Sequence, residues 1–88
     1  MHVKWLVAVG SRKEALEYAE RREELEGWDY CDVSFVGYVD ELLSDGEKRA
    51  QAERWLRLEG LDPRELAAVL EKAREKDKKM VFLVDCHA

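Results

Sequence analysis

Met80–Ala88 reads MVFLVDCHA, and His2–Val9, near the other end of the chain, reads HVKWLVAV. Each stretch contains a run of consecutive apolar residues, which is typical of a strand covered on both of its faces. We therefore predict two strands in the centre of a sheet, at His2–Val9 and Met80–Val84. The polar residues Asp85–His87 are expected to lie just beyond the end of the last strand.

Local signals predict the first helix and one more strand. Ser11 and Glu14 form an S-x-x-E capping box, which opens a helix that ends before Gly27. Val33–Val39 alternates in part between its two faces, a pattern typical of a strand near the edge of a sheet. Gly37, within that strand, indicates either a bulge or the close approach of a neighbouring backbone.

Two more helices are predicted before the last strand. Ser44 and Glu47 repeat the capping box and open a helix that ends at Gly60. Its last turns, Arg54–Leu58, also fit a short strand, but we favour a helix because no turn separates them from the helical residues before them. Asp62, followed by a proline, is the predicted cap of the third helix.

This order of elements predicts a single α/β domain over residues 1–88. Right-handed βαβ crossovers make strands parallel, which gives a small three-layer sandwich with a short parallel sheet and three helices. The predicted strand order is 2-1-3, with a possible fourth strand at residues 54–58. The open edges of such a sheet favour a homodimer that pairs through a sheet edge.

The composition excludes some partners. Charged residues form 40% of the chain, with 20 acidic and 15 basic side chains interspersed and a net charge of -5. Nucleic acid is not an expected partner, because binding to its backbone depends on clustered Lys and Arg. The longest apolar run, Trp5–Val9, is far shorter than the roughly 20 residues that cross a bilayer, so we expect no membrane association and a cytoplasmic location.

Two other compositional features concern the environment of the chain. Cys31 and Cys86 lack a C-x-x-C spacing, so we expect reduced thiols rather than a disulfide scaffold or a zinc site. The chain contains no Ile, Thr or Asn and a single Gln, a bias that lowers the number of thermolabile amides. A thermophilic source and an engineered origin both fit this bias.

In an open parallel sheet, ligands bind beyond the carboxyl ends of the strands. This rule selects the candidate ligand-binding residues Gly10, Ser11, Arg12, Lys13, Asp40, Asp85, Cys86 and His87. A phosphate or nucleotide at this edge would accept hydrogen bonds from the start of the first helix. It would also offset the charges of Arg12 and Lys13, which the helix dipole disfavours there. The alternative is that both cations extend into solvent.

The strand ends offer less to catalysis or to metal binding. Cys86 and His87 are neighbours on an extended chain, so their side chains point to opposite faces and cannot form a thiolate and base pair. His2 is expected at the other end of a parallel sheet from Cys86. Asp40, Asp85 and His87 fit a divalent cation, but carboxylates after strands are also ordinary loop residues. We assign no catalytic residue and no metal ligand.

Three segments resemble the universal stress protein family: WLVAVGSRKEALEYA at 5–19, DVSFVGYVDE at 32–41 and LEGLDPRELAAVLEKAREKDKKMVFLVDCHA at 58–88. They are similar to the family's first strand, Gly-Ser turn and helix, to its second strand, and to a later helix and strand. This chain has Gly10 where members that bind ATP carry an Asp, and Cys86–Ala88 where they carry a glycine-rich phosphate loop. The resemblance therefore implies only the adenine-side half of a nucleotide site.

These features support three hypotheses of function. We rank first a non-catalytic α/β domain that acts by self-association or partner binding. The second is nucleotide or small-anion binding at the carboxyl edge of the sheet. The third is an enzyme, or an engineered active site, that uses Asp85, Cys86 or His87.

Overall fold

Three strands and four helices make up the fold. A computed structural model describes residues 1–88. The elements in chain order are β1 (His2–Val9), α1 (Arg12–Glu26), β2 (Tyr30–Tyr38), α2 (Val39–Ser44), α3 (Gly46–Leu58), α4 (Pro63–Glu75) and β3 (Met80–His87).

The sheet has the order β1-β3-β2, and β3 is antiparallel to both of its neighbours. The chain is α/β, but the predicted parallel sheet of order 2-1-3 is wrong. β1 and β2 do run in the same direction, with the single helix α1 between them in the chain. β3 enters between these two strands from the opposite end, so β1 is an edge strand instead of a central one.

The pairing of β1 with β3 determines which backbone groups reach the open edge. Met1 and Ala88, just beyond the two strands, exchange both backbone hydrogen bonds, with N···O distances of 3.2 and 2.9 Å. Hydrogen-bonded and non-hydrogen-bonded pairs alternate along an antiparallel ladder. The N–H and C=O groups of four β1 residues therefore point away from β3: His2, Lys4, Leu6 and Ala8.

The core lies on both faces of β3. Val81 and Leu83 pack on one face, in a cluster of ten buried residues that come mainly from α2, α3 and α4. Phe82 packs on the other face with Val9 and with Ala15 of α1. The helices thus cover both faces of the sheet, which explains why the strand MVFLV is apolar throughout.

Several predicted helical features are confirmed. Ser11 Oγ accepts the N–H of Glu14 at 3.1 Å, and α1 ends at Glu26. Asp62 caps α4 with a side-chain hydrogen bond of 2.8 Å. Arg54–Leu58 forms the end of α3, so the helical interpretation is confirmed and the sheet has no fourth strand.

The helix predicted to open at Ser44 forms as α3 and begins one residue later than predicted, and a short helix that was not predicted, α2, precedes it. Ser44 is the last residue of α2, where its hydroxyl donates to the carbonyl of Asp40 at 2.7 Å. Asp45 caps α3 instead, because its carboxylate accepts the N–H groups of Glu47 and Lys48 together. The fold therefore has four helices where three are predicted. None of them is long and apolar enough to cross a membrane.

Two of the strands are longer than predicted. β2 begins at Tyr30 rather than Val33, and β3 continues through His87. The register then places Cys31 directly opposite Cys86, and the two form a disulfide. The prediction of reduced thiols, made from the absence of a C-x-x-C spacing, is wrong because the sheet brings together two cysteines that are 55 positions apart in the sequence.

Candidate functional site

The predicted ligand-binding residues lie at two opposite ends of the sheet. Gly10–Lys13 follow β1 and Asp40 follows β2, whereas Asp85–His87 end the antiparallel β3. The seven residue steps from Met80 to His87 span roughly 24 Å at the usual rise of an antiparallel strand. The single edge expected from a parallel sheet does not exist, so the structure does not bring these residues together.

At the first end, the start of α1 is already paired within the chain. The Glu14 carboxylate accepts the N–H of Gly10 at 2.7 Å, while Ser11 Oγ accepts the N–H of Glu14. Lys78 donates to the same carboxylate at 2.9 Å. The hydrogen bond from Lys78, followed by that from Gly10, lowers the pKa of Glu14. These contacts occupy groups that a phosphate would otherwise use.

The two predicted cations beside this turn have different surroundings. The Arg12 guanidinium lies over the ring of Phe82, 5.4 Å from its centroid, in a cation–π contact. Lys13 is exposed. Asp40 is also exposed, in the first turn of α2, where a carboxylate interacts favourably with the helix dipole. Local packing therefore accounts for Arg12, and the interaction with the helix dipole accounts for Asp40.

At the other end, three side chains converge on one face of the sheet. His2 is directly opposite His87 in the register, and Asp85 lies two residues before His87 on β3. Both imidazole Nε2 atoms approach Oδ1 of Asp85; His2 forms a hydrogen bond with it, and His87 lies 3.1 Å away. The potential ligand atoms of the three residues all lie within 4.8 Å of one another.

Tyr30 and Lys4 are neighbours of this histidine–aspartate cluster. Tyr30 stacks on the His87 ring with centroids 4.5 Å apart, and the His2 ring stacks on its other side at 4.2 Å. Lys4, opposite Asp85 in the register, donates to the Glu59 carboxylate at 2.6 Å. That hydrogen bond raises the pKa of Lys4, with a further contribution from the negative charge of Asp85.

Cys86 is excluded from the cluster. It lies between Asp85 and His87 on β3, so its side chain points to the opposite face. It is fully buried and bonded to Cys31. In this form it has no thiol that could act as a nucleophile.

The open edge of β1 lies in a groove between α1 and α4. One part, of about 380 Å³, has Leu6–Val9 and Val69 as its apolar floor. Charged groups of both signs surround it: Glu14, Arg21, Lys72 and Lys76. A second part, of about 260 Å³, continues past Trp5, Leu6, Glu65, Ala68, Val69 and Lys72.

β2, the other edge strand, is irregular. Its register with β3 shifts between Phe35 and Gly37, which marks a β-bulge. A Cβ atom at Gly37 would stand 3.0 Å from side-chain atoms of Leu42 in α2. The predicted bulge is thus confirmed, whereas the close neighbour of this glycine is a side chain and not the backbone that was predicted.

No protein-family model, no curated protein and no solved structure matches this chain. The resemblance to universal stress proteins therefore stays a prediction.

Sequence reasoning missed His2 as a site residue. It assigned Asp85 and His87 to a polar cluster, but with Asp40 rather than His2 as their companion. The expectation that His2 lies far from the end of the last strand is wrong because β1 and β3 are antiparallel. A usable signal was present, since His2 and His87 lie at the outer ends of the two apolar strands and would meet in an antiparallel pair.

Proposed function

We propose that this chain is a non-catalytic domain that self-associates through β1, with two copies pairing their β1 strands antiparallel in one continuous sheet. The observation that carries the proposal is the unpaired edge of β1. It is regular, largely apolar and flanked by an open groove. Strand edges of this kind readily pair with another chain.

The backbone of β1 is suited to an added strand. Four residues direct their N–H and C=O groups outward, as derived above from the Met1 and Ala88 pair. The register of β1 with β3 has no shift from His2 to Val9, so these groups follow one another at regular intervals. The strand has no proline, and its only charged Lys, Arg, Asp or Glu side chain, Lys4, is paired with Glu59.

The side chains of β1 are incompletely covered. Trp5–Ala8 are only half-buried, whereas Val81–Val84 of the central strand are fully buried. A further strand with its own helices would cover apolar surface that one copy leaves in contact with water. Burial of apolar surface stabilises an association by roughly 25 cal/mol per Å² before the costs of ordering are subtracted.

A second copy is the occupant that the edge favours. Symmetric dimers use the same surface on both subunits, and a twofold axis between two identical edge strands makes them antiparallel. The rim of the groove carries both signs of charge, with Glu14 and Glu65 near Arg21, Lys72 and Lys76. In such an interface, acidic side chains of one copy can pair with basic side chains of the other.

Proline substitutions at the two edges test the proposal. Ala8 directs its N–H to the open edge of β1, so Ala8→Pro removes no bond to β3 but removes a donor to a second copy. A symmetric dimer loses two such bonds, about 2 kcal/mol or a roughly 30-fold higher Kd. Val33 directs its N–H to the open edge of β2 by the same alternation, and Val33→Pro is the matched control.

Sedimentation from low micromolar to millimolar concentration should show a dimer for the wild type and for Val33→Pro. Ala8→Pro should be shifted towards monomer. Wild-type protein that stays monomeric over this range, or equal dimerisation of the two variants, would contradict the proposal.

Amide exchange of the wild type gives a second measurement that does not depend on a variant folding. The amides of Leu6 and Ala8 should become protected as concentration rises, while those of Val7 and Val9, already bonded to β3, change little. Unprotected Leu6 and Ala8 amides at millimolar concentration would overturn pairing through β1.

A further inference from the structure

We propose that His2, Asp85 and His87 bind one divalent transition-metal ion of the Zn²⁺ class within a single chain. This site is separate from the self-association edge, because its side chains project from a face of the sheet. It requires no second copy and no contribution from the disulfide.

The antiparallel register creates the convergence. His2 and His87 are a non-hydrogen-bonded pair, the kind in which facing side chains of adjacent strands lie closest. Asp85 is on the same face as His87 and diagonal to His2. Three potential ligands thus come from two directly paired strands, and the rigidity of the ladder limits how far they can move apart.

The distances fit a small ion after modest side-chain rotation. The ligand atoms lie within 4.8 Å of one another, and the His87 Nε2 to Asp85 Oδ1 distance is 3.1 Å. Tetrahedral zinc with bonds of about 2.0–2.1 Å places its ligand atoms roughly 3.3 Å apart. The two imidazole rings are stacked with an angle of 17° between their planes. Metal binding would rotate the rings apart so that both Nε2 atoms point at the ion.

The ligand set selects the class of metal. Two imidazole nitrogens and one carboxylate oxygen favour zinc and other late first-row divalent ions over Mg²⁺ and Ca²⁺, which prefer oxygen ligands. Three protein ligands leave a coordination position for water or a small anion. The site is accessible, since the side chains of His2, Asp85 and His87 are 46%, 25% and 31% exposed.

The surrounding charges also favour a cation. Asp32 on β2 stands directly opposite Asp85 on β3, and like charges in directly opposed positions destabilise a sheet. A metal ion at Asp85 would relieve that repulsion. Lys4, the nearest cation in the register, is engaged by Glu59, which limits its competition for Asp85.

Titration of the untagged protein with Zn²⁺ tests the site. His2 and His87 are the only histidines in the chain, and no cysteine is free. The side-chain NMR signals of both histidines should shift together and saturate at one ion per chain. Mg²⁺ should leave them unchanged. Co²⁺ should give absorption bands of nitrogen and oxygen coordination without a thiolate charge-transfer band.

Three conservative variants should each weaken Zn²⁺ binding: His2→Gln, Asp85→Asn and His87→Gln. Loss of a direct ligand should raise the Kd by more than the roughly 10- to 100-fold that loss of an outer hydrogen-bond partner costs. Asp40→Asn, an exposed carboxylate at the far end of the sheet, is the matched control and should bind like the wild type.

The same titration in Ala8→Pro separates this site from the self-association edge. One ion per chain in that variant, with an unchanged Kd, would show that the site belongs to one chain. A stoichiometry of one ion per two chains would overturn the inference. Equal binding by Asp85→Asn and the wild type would do the same, as would unchanged histidine signals at millimolar Zn²⁺.

Discussion

The two edges of this sheet differ in how far they are protected against pairing with a further strand. β2 contains a bulge at Gly37, carries the exposed charge of Asp32, and is joined to β3 through Cys31. β1 has an unbroken register over eight residues and no covalent link to its neighbour. Bulges and exposed charges are the usual devices that prevent edge pairing, and only β2 has both of them.

The difference between the two edges shows what can be inferred from a run of apolar residues in a strand. A continuous run indicates that helices cover both faces, but it does not say whether another strand lies on either side. β1 and β3 both contain runs of apolar residues, and helices pack on both faces of the sheet, although β1 is less completely covered than β3. One is nonetheless central and the other is at an edge, which is why β1 is the place where a second copy is expected.

Reduction of the disulfide should have the largest effect on the difference in stability between the β1 and β2 edges. The bond joins residues separated by 55 positions, and such links typically contribute about 2–4 kcal/mol. We expect urea unfolding in the presence of a reductant to give a free energy of unfolding lower by about that amount. Amide exchange should accelerate first in β2 and only later in β1.

The Cys31→Ala/Cys86→Ala variant is the control for reduction, because its stability should not respond to the reductant. If reduction leaves the wild type unchanged, or loosens β1 before β2, then the covalent link does not distinguish the two edges.

A side chain at Gly37 should have the next largest effect. Gly37→Ala would place a Cβ atom 3.0 Å from the buried Leu42 side chain, so that side chain must move by a few tenths of an ångström in a packed core. Overpacking of this kind costs about 1–3 kcal/mol, measured as a lower free energy of unfolding in urea.

Gly46→Ala is the matched comparison, because a Cβ atom there meets nothing within 4 Å. That variant should be unchanged or more stable by up to about 1 kcal/mol, since alanine favours a helix. Equal destabilisation by the two substitutions would show that the contact between β2 and α2 is not tight.

The smallest effect should come from the ion pair at the carboxyl end of β1. The pKa of Glu14 is lowered in the folded chain, so its contribution is present above the ordinary value of 4.5 and is lost as the pH falls through the lower, folded value. Between pH 5 and 3 the wild type should lose a few tenths of a kcal/mol, at most about 1, that Glu14→Gln does not lose.

Glu17→Gln, an exposed position on the same helix, provides the control for that pH series and should follow the wild type. Parallel pH profiles for Glu14→Gln and the wild type would mean that the contact with Lys78 and Gly10 adds nothing measurable at this end of β1.

Much of the local structure could be predicted because its causes are local. The caps at Ser11 and Asp62 depend on side chains within three residues of the N–H groups that they accept. Ser44 misled the prediction because Asp45, one residue later, binds two N–H groups of α3. The site was harder to predict, because His2 can be identified as the partner of Asp85 and His87 only when the direction of β3 is known.

The existence of three strands, the limits of α1 and the start of α4 follow from the sequence alone, because apolar runs and capping residues act over a few positions. The direction of β3, its place between β1 and β2, and the Cys31–Cys86 pairing depend on the packing of the whole chain. An apolar strand can form parallel or antiparallel ladders with the same side chains. The choice depends on how α2, α3 and α4 pack together before the chain returns to the sheet, and those contacts join residues far apart in sequence.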